Sequence, residues 1–237
     1  MGGEQRGQRS VFSHNVASGS GHTKEPPPAV MSQAATRVFI VDDDERVRCA
    51  LARLLRASGY HVESFDSPES LLDRADLASV PACLILDLQM PGMTGLEVQR
   101  NLDQLLPIVF LTGHGDIGSS VEAMKGGALD FLPKPVCESL LLAAVDRALK
   151  RACVEWARRS ERAELQERVN HLTRREREVM ALVLTGRLNK QVASDLGAAE
   201  KTIKIHRARV MEKMKARSIV ELVRLAEKVG VHAADDN

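Results

Sequence analysis

Aromatic residues are scarce in this chain. One Trp, one Tyr and five Phe make up 3% of 237 residues, so any core must rest on Leu, Val, Ile, Ala and Met rather than on stacked rings. No apolar run approaches the roughly 18 residues that span a bilayer, so no membrane association is expected. No apolar stretch of the signal-peptide kind stands near the first residues, and a cytoplasmic location is expected. The four cysteines (Cys49, Cys83, Cys137, Cys153) lie far apart, with no CxxC pair and no histidine cluster beside them. That spacing argues against a disulfide framework or a thiolate zinc site and leaves free thiols in a reducing compartment.

Neither sign of charge predominates, since the formal net charge is +1. The balance hides an asymmetry. Residues 36–135 hold 9 Lys/Arg against 15 Asp/Glu, whereas residues 171–228 hold 14 Lys/Arg against 7 Asp/Glu. Opposite signs in the two parts suggest two modules with different partners, a cation for the first and a polyanion for the second.

Residues 1–35 are rich in Gly, Ser and Gln, contain Pro26-Pro27-Pro28 and show no apolar period, so they read as a disordered leader. Short apolar runs then alternate with amphipathic stretches. The strand-like runs are RVFIV (37–41), HVESF (61–65), ACLIL (82–86), PIVFL (107–111) and LDFL (129–132). Helical patterns lie near 45–58, 67–77, 95–105, 117–126 and 137–150, with Gly59, Pro81, Pro91-Gly92 and Gly126-Gly127 as breaks. Five β–α units of this length predict an α/β domain over residues 36–150. Its five-stranded parallel sheet would be covered on both faces by helices and joined by right-handed crossovers. From Val136 to His171 there is no Gly or Pro, so the last helix is expected to run on as a semi-rigid connector through residues 151–169. A helix-pairing seam there and a solvated linker are both open readings. Four shorter helical patterns (174–185, 189–196, 200–214 and 218–228) predict a separate all-α module over residues 170–232. Thr173 and Glu176 have capping-box spacing, Gly186 suits a left-handed helix end, and Gly197 falls in the turn of a helix-turn-helix unit.

Chemistry gathers where the apolar runs end. Asp42-Asp43 follows VFIV, Asp87 follows CLIL, Thr112 closes PIVFL, and Lys134 follows LDFLP. Strand carboxyl ends share one edge of a parallel sheet, so these side chains are expected to converge on one crevice. Two carboxylates about 5 Å apart repel by about 3 kcal/mol at an effective dielectric near 20. A site that gathers several of them suits a hard divalent cation. Asp43, Asp87 and the backbone carbonyl of Gln89 are candidate ligands for Mg2+, with Asp42 beside them as a ligand through water or a tuning group. Asp87 is then the candidate nucleophile toward a phosphoryl donor, and its product is an acyl phosphate. Lys134 and Thr112 can pair with oxygens of the incoming group, over which the transition state spreads its charge. A single Asp at a strand end is more often a helix cap, so the combination of four strand ends carries this reading. His114, flanked by Gly113 and Gly115, is assigned no catalytic role.

The motifs V-D-D-D (41–44), L-D-L-Q-M-P-G-M-T-G (86–95), L-T-G-H-G-D (111–116) and F-L-P-K-P (131–135) together resemble the receiver domain of bacterial response regulators. The resemblance implies a flavodoxin-like (βα)5 fold and phosphorylation of Asp87 by a partner sensor histidine kinase. It also implies a cis peptide at Lys134-Pro135 and a switch in which Thr112 moves toward the phosphoryl group while Phe131 rotates inward.

In the later pattern EKTIKIHRARVMEKM, Ile203, Val210 and Met214 form an apolar stripe with Met211 nearby. Lys201, Lys204, Ile205, Ala208 and Arg209 fall on other faces. Such a helix can lie in a major groove, although a bundle helix with solvated charges has the same pattern. Residues 170–230, with LTRREREVMALVLTGRLNKQVASDLGAAEKTIKIHRARVMEKM at 172–214, resemble the LuxR-type helix-turn-helix of NarL/FixJ-type transcription factors. By that resemblance Lys204, Ile205 and Ala208 face the bases of double-stranded DNA. Lys201, Thr202, His206, Arg207 and Arg209 are candidates for phosphate contact. Ala208 is small where some relatives place a long basic side chain, leaving only a methyl contact. Gly197-Ala198-Ala199 also leaves the recognition helix without a Ser or Thr cap.

The reading that unites these features is a two-component response regulator that activates transcription, dimerises on phosphorylation and engages RNA polymerase as a further partner. It would not be an enzyme. One rival is a haloacid-dehalogenase-type, Mg-dependent aspartyl phosphatase, whose DxD signature is mimicked by Asp42-x-Asp44. Arg46 stands where that motif wants Thr or Val, and a phosphatase has no use for a basic helical tail. The other rival is a DNA-binding regulator that never sees phosphate.

Overall fold

The computed structural model describes residues 36–113 and 117–231, so the expected leader and His114 lie outside the described residues. Five strands form one parallel sheet: β1 (Arg37–Val41), β2 (Val62–Phe65), β3 (Ala82–Asp87), β4 (Ile108–Thr112) and β5 (Asp130–Pro133), in the order β2-β1-β3-β4-β5. This is the doubly wound, flavodoxin-like arrangement, in which the chain reverses direction across the sheet between β1 and β3. The central strands read as near-continuous apolar runs because they are covered on both faces. All six residues of β3 and all five of β4 are buried.

Alternate side chains divide between two cores. Val38, Ile40, Cys83, Ile85, Val109 and Leu111 pack with α1 (Glu45–Ala57) and the first half of α5 (Glu138–Asn170). Phe39, Val41, Leu84, Leu86 and Phe110 face α2 (Pro68–Leu72), α3 (Gly95–Leu102) and α4 (Ile117–Lys125). Helix α2 is shorter than the 67–77 pattern predicts. Arg74 donates to both carboxylate oxygens of Asp76, at 2.8 and 2.9 Å, and pairs with Glu63 on β2, while Arg37 on β1 donates to Asp76 at 2.8 Å. Residues two apart on a helix do not face each other. The Arg74–Asp76 pair therefore requires the chain to leave the helix, and the long-range partners reward it for doing so.

Helix α5 is a single 33-residue helix. It buries Leu141, Ala144, Val145, Ala148, Leu149 and Ala152 early, then Leu165 and Val169 near its end. Those last two belong to a third core, shared with α6 (Arg174–Leu184), α7 (Asn189–Asp195), α8 (Glu200–Met214) and α9 (Ile219–Lys228). Thr173 and Glu176 form the expected capping box on α6. Buried Glu176 also accepts from Lys213 Nζ at 2.7 Å, tying α6 to α8. Gly186 and Gly197 take left-handed conformations at φ 82° and 59°, as the breaks after α6 and α7 require. Ala199 stands at the start of α8 with no side-chain cap.

One glycine is fixed by crowding. Gly95 opens α3, and its N–H donates to the Leu88 carbonyl at 3.0 Å. A Cβ at that position would stand 2.5 Å from the Asp87 carbonyl oxygen and 2.9 Å from the Phe110 ring. Helix propensity alone favours Gly95→Ala by roughly 0.5–1 kcal/mol. Overpacking against backbone costs about 1–3 kcal/mol and wins. We predict that Gly95→Ala lowers the urea midpoint of the receiver module, and an unchanged or raised midpoint would contradict the close approach.

Candidate functional site

The carboxyl ends of β1, β3, β4 and β5 deliver Asp42, Asp87, Thr112 and Lys134 to one edge. Asp42 is fully buried, and Asp87 and Thr112 nearly so. Lys134 Nζ donates to Asp42 Oδ2 at 2.7 Å and to Asp87 Oδ2 at 2.8 Å. Three strand spacings separate β1 from β5, roughly 14 Å, which exceeds the reach of a lysine side chain. The bond from Lys134 N–H to the Thr112 carbonyl at 2.7 Å continues the β5–β4 ladder and fixes the base of that side chain beside β4. The Lys134–Pro135 peptide within the loop after β5 is cis.

Burial raises the pKa of Asp42 above the ordinary carboxylate value, against the opposing hydrogen bond from Lys134. Burial also works against the charge on Lys134, but its hydrogen bonds to Asp42 and Asp87 outweigh that and hold its pKa above the ordinary lysine value. The raised Asp42 thus reflects a desolvated position, and the cation beside it stays charged.

One carboxylate oxygen from each of Asp42, Asp43 and Asp87 lies within 4.8 Å of the others. Ligands around a small octahedral dication stand about 3 Å apart as neighbours and about 4 Å apart across it. The three oxygens therefore fit a hard cation after slight closure, with exposed Asp43 on the open side. Gln89 lies in the loop past β3, and its N–H points toward Asp87 Oδ1 at 3.4 Å. Phe131 is half-buried on β5, paired in register with Phe110 and packed against the core on the α3–α4 side. Asp44 caps α1 by accepting from Arg46 N–H at 2.8 Å. That commitment removes it from the cluster and weakens the phosphatase reading of Asp42-x-Asp44. Arg48, which the apolar pattern does not flag, donates to the carbonyls of Asp42 and Asp43.

In the helical module, Ile203, Val210 and Met214 are the buried stripe of α8. Lys201, Thr202, Lys204, Ile205, Ala208 and Arg209 are exposed, and 47% of Ile205 faces solvent. His206 and Arg207 are half-buried. Arg207 donates to Asn189 Oδ1 on α7 at 2.9 Å, so its guanidinium braces the two helices of the helix-turn-helix unit. Asn189 could not have been found from the sequence, since only the packing of α7 on α8 makes it a partner. No helix among the described residues is long and apolar enough to cross a membrane.

Residues 38–146 match the model of the response regulator receiver domain, and residues 170–226 match that of the bacterial regulatory proteins of the luxR family. Nodulation protein W of Bradyrhizobium diazoefficiens is 43% identical over 216 residues, covering 90% of this chain and 92% of that protein. Transcriptional regulatory protein FixJ of Azorhizobium caulinodans is 42% identical over 205 residues, covering 84% and 95%. The solved structure of response regulator StyR superposes with a TM-score of 0.73 at 43% identity, over 82% of this chain and 99% of that one.

Removing the shared cation tests the geometry. Breaking a buried ion pair from one side typically costs about 3–5 kcal/mol. Lys134→Met should destabilise the protein by an amount of that order in chelator at pH 8. Without Lys134 the burial that raises Asp42 loses its chief opposition, so folded Asp42 binds a proton more readily than unfolded Asp42 and stability falls as pH rises. The loss should therefore be smaller at pH 5, as urea titrations at both values would show; a pH-independent loss would contradict the pairing.

Proposed function

The chain belongs to the two-component response regulators of the NarL/FixJ type, which join a receiver domain to a LuxR-family DNA-binding domain, and from that premise we propose that phosphoryl transfer to Asp87 governs how α8 meets duplex DNA. The observation that carries this reading is the ammonium of Lys134 held between Asp42 and Asp87 at the shared strand edge. The donor is a phosphohistidine of a sensor kinase. An Asp87 carboxylate oxygen attacks phosphorus, the bond from phosphorus to the donor nitrogen breaks, and the imidazole leaves with a proton. Asp42, Asp43, Asp87 and the Gln89 carbonyl would hold Mg2+, which when bound neutralises oxygens of the incoming group. Lys134 gives up its bond to Asp87 for one to a phosphoryl oxygen, and the Thr112 hydroxyl donates to another. Phe131, half-buried beforehand, moves inward as Thr112 advances.

The phosphoryl group acts as a ligand that prefers one of two receiver states, and only that difference shifts the population. The favoured state pairs two copies in the cytoplasm, so that two α8 helices reach half-sites about one helical turn apart and recruit RNA polymerase for activation. Lys204, Ile205 and Ala208 face the bases. Lys201, Thr202, His206 and Arg209 contact phosphates, with Arg207 free to do so only by leaving Asn189.

Acetyl phosphate with magnesium should add about 80 Da at Asp87, the mass of the acyl phosphate, and Asp87→Ala should abolish it. Phosphorylated wild type should bind an operator selected from random duplexes more tightly than Asp87→Ala. Absence of the adduct in wild type sinks the proposal. On that operator, Lys201→Ala should weaken binding across sequences and reduce the salt slope by about 1, as loss of one phosphate contact does. Lys204→Ala should instead cost about 1–3 kcal/mol and relax preference at one base pair, as loss of a base contact does. Identical behaviour of the two variants in a salt titration would refute the assignment of faces.

A further inference from the structure

Resting on the reading of the acidic cluster as a dication site, we propose that Arg48 is a positioning residue for metal binding, because it fixes the backbone from which the Asp43 carboxylate projects. Two of the three acidic side chains after β1 are already committed. Asp42 gives Oδ1 to Asp44 N–H at 2.9 Å and Oδ2 to Lys134 at 2.7 Å. Asp44 gives Oδ1 to Arg46 N–H at 2.8 Å. Asp43 is exposed, and its carboxylate makes no hydrogen bond among the described residues. Beyond its own two side-chain torsions, its aim therefore depends on the Cα–Cβ bond, whose direction the two flanking peptide groups set.

Arg48 holds both of them. Its Nη1 donates to the Asp42 carbonyl at 2.7 Å and to the Asp43 carbonyl at 3.4 Å. The second peptide is gripped from the opposite side too, because its N–H, that of Asp44, is the donor to Asp42 Oδ1. Rotating that peptide, and with it the backbone that carries Asp43, would break a bond on each side. Asp43 is also the exposed member of the Asp42, Asp43 and Asp87 cluster. A purely structural role, satisfying the carbonyl of a buried residue, would also explain the 2.7 Å bond. That role would affect stability and leave metal affinity alone.

The two are separated by calorimetric titration of MgCl2 into metal-free full-length wild type, Arg48→Gln and Arg48→Lys, alongside urea unfolding and amide exchange in chelator. Groups that orient a metal ligand typically contribute tenfold or more to affinity. Arg48→Gln should bind Mg2+ about tenfold more weakly, and its Asp44 amide should exchange faster before any metal is added. Arg48→Lys, which keeps the charge and one donor nitrogen, should recover part of the affinity. Equal Mg2+ affinity in wild type and Arg48→Gln overturns the proposal, whatever happens to the urea midpoint. Wild type that binds no Mg2+ overturns instead the reading of the cluster beneath it. If Arg48→Gln does not fold, Arg48→Lys carries the comparison: weaker binding than wild type supports the proposal, and equality refutes it.

Discussion

A parallel sheet presses its strand ends together, and here that places two buried carboxylates, Asp42 and Asp87, on one edge. The lysine ammonium between them makes that placement tolerable. Its position is secured by main chain, since the Thr112 carbonyl holds the Lys134 N–H beside β4. Gly95 lets α3 start against the Asp87 backbone, and the capping box of Thr94 and Glu97 fixes that start. The site is thus a set of side chains whose freedom has been removed by neighbouring peptide groups. Such preorganisation is what a reaction governed by positioning and electrostatics demands. In the proposed reaction the same ammonium that balances the resting carboxylates would also partner an incoming phosphoryl oxygen.

The helical module solves a different problem with opposite charge. Its core is built from Leu165, Val179, Met180, Ile203, Val210 and Met214 among others, with no aromatic ring. Helix α8 buries the stripe of Ile203, Val210 and Met214 and turns Lys201, Lys204, Arg209 and Ile205 outward. Polyanion affinity then comes from phosphate neutralisation. Exposed Ile205 and Ala208 add little to that term; under the proposed reading they meet the groove instead.

Much of this was legible in the chain. Central strands announced themselves as continuous apolar runs, and the Thr173–Glu176 spacing marked the start of α6. The convergence of Asp42, Asp87, Thr112 and Lys134 followed from topology, because strand ends in a parallel sheet have few places to go. Helix α2 was misjudged in length because the forces that stop it, Arg37 and Glu63, lie on other strands. Arg48 was invisible because it acts on main-chain carbonyls, which leave no signature in residue types. The resemblance offers Arg207 for phosphate contact, but it gives no partner within the chain, and Asn189 is that partner.

The uninterrupted run of α5 has a consequence of its own. An α-helix advances about 100° per residue, so its two ends are locked in angular phase. Lengthening it by one residue between 153 and 164 would turn everything beyond through more than a quarter circle, whereas seven residues, nearly two full turns, would almost restore the original bearing. Evolutionary changes in this segment should therefore be constrained in step size as well as in composition.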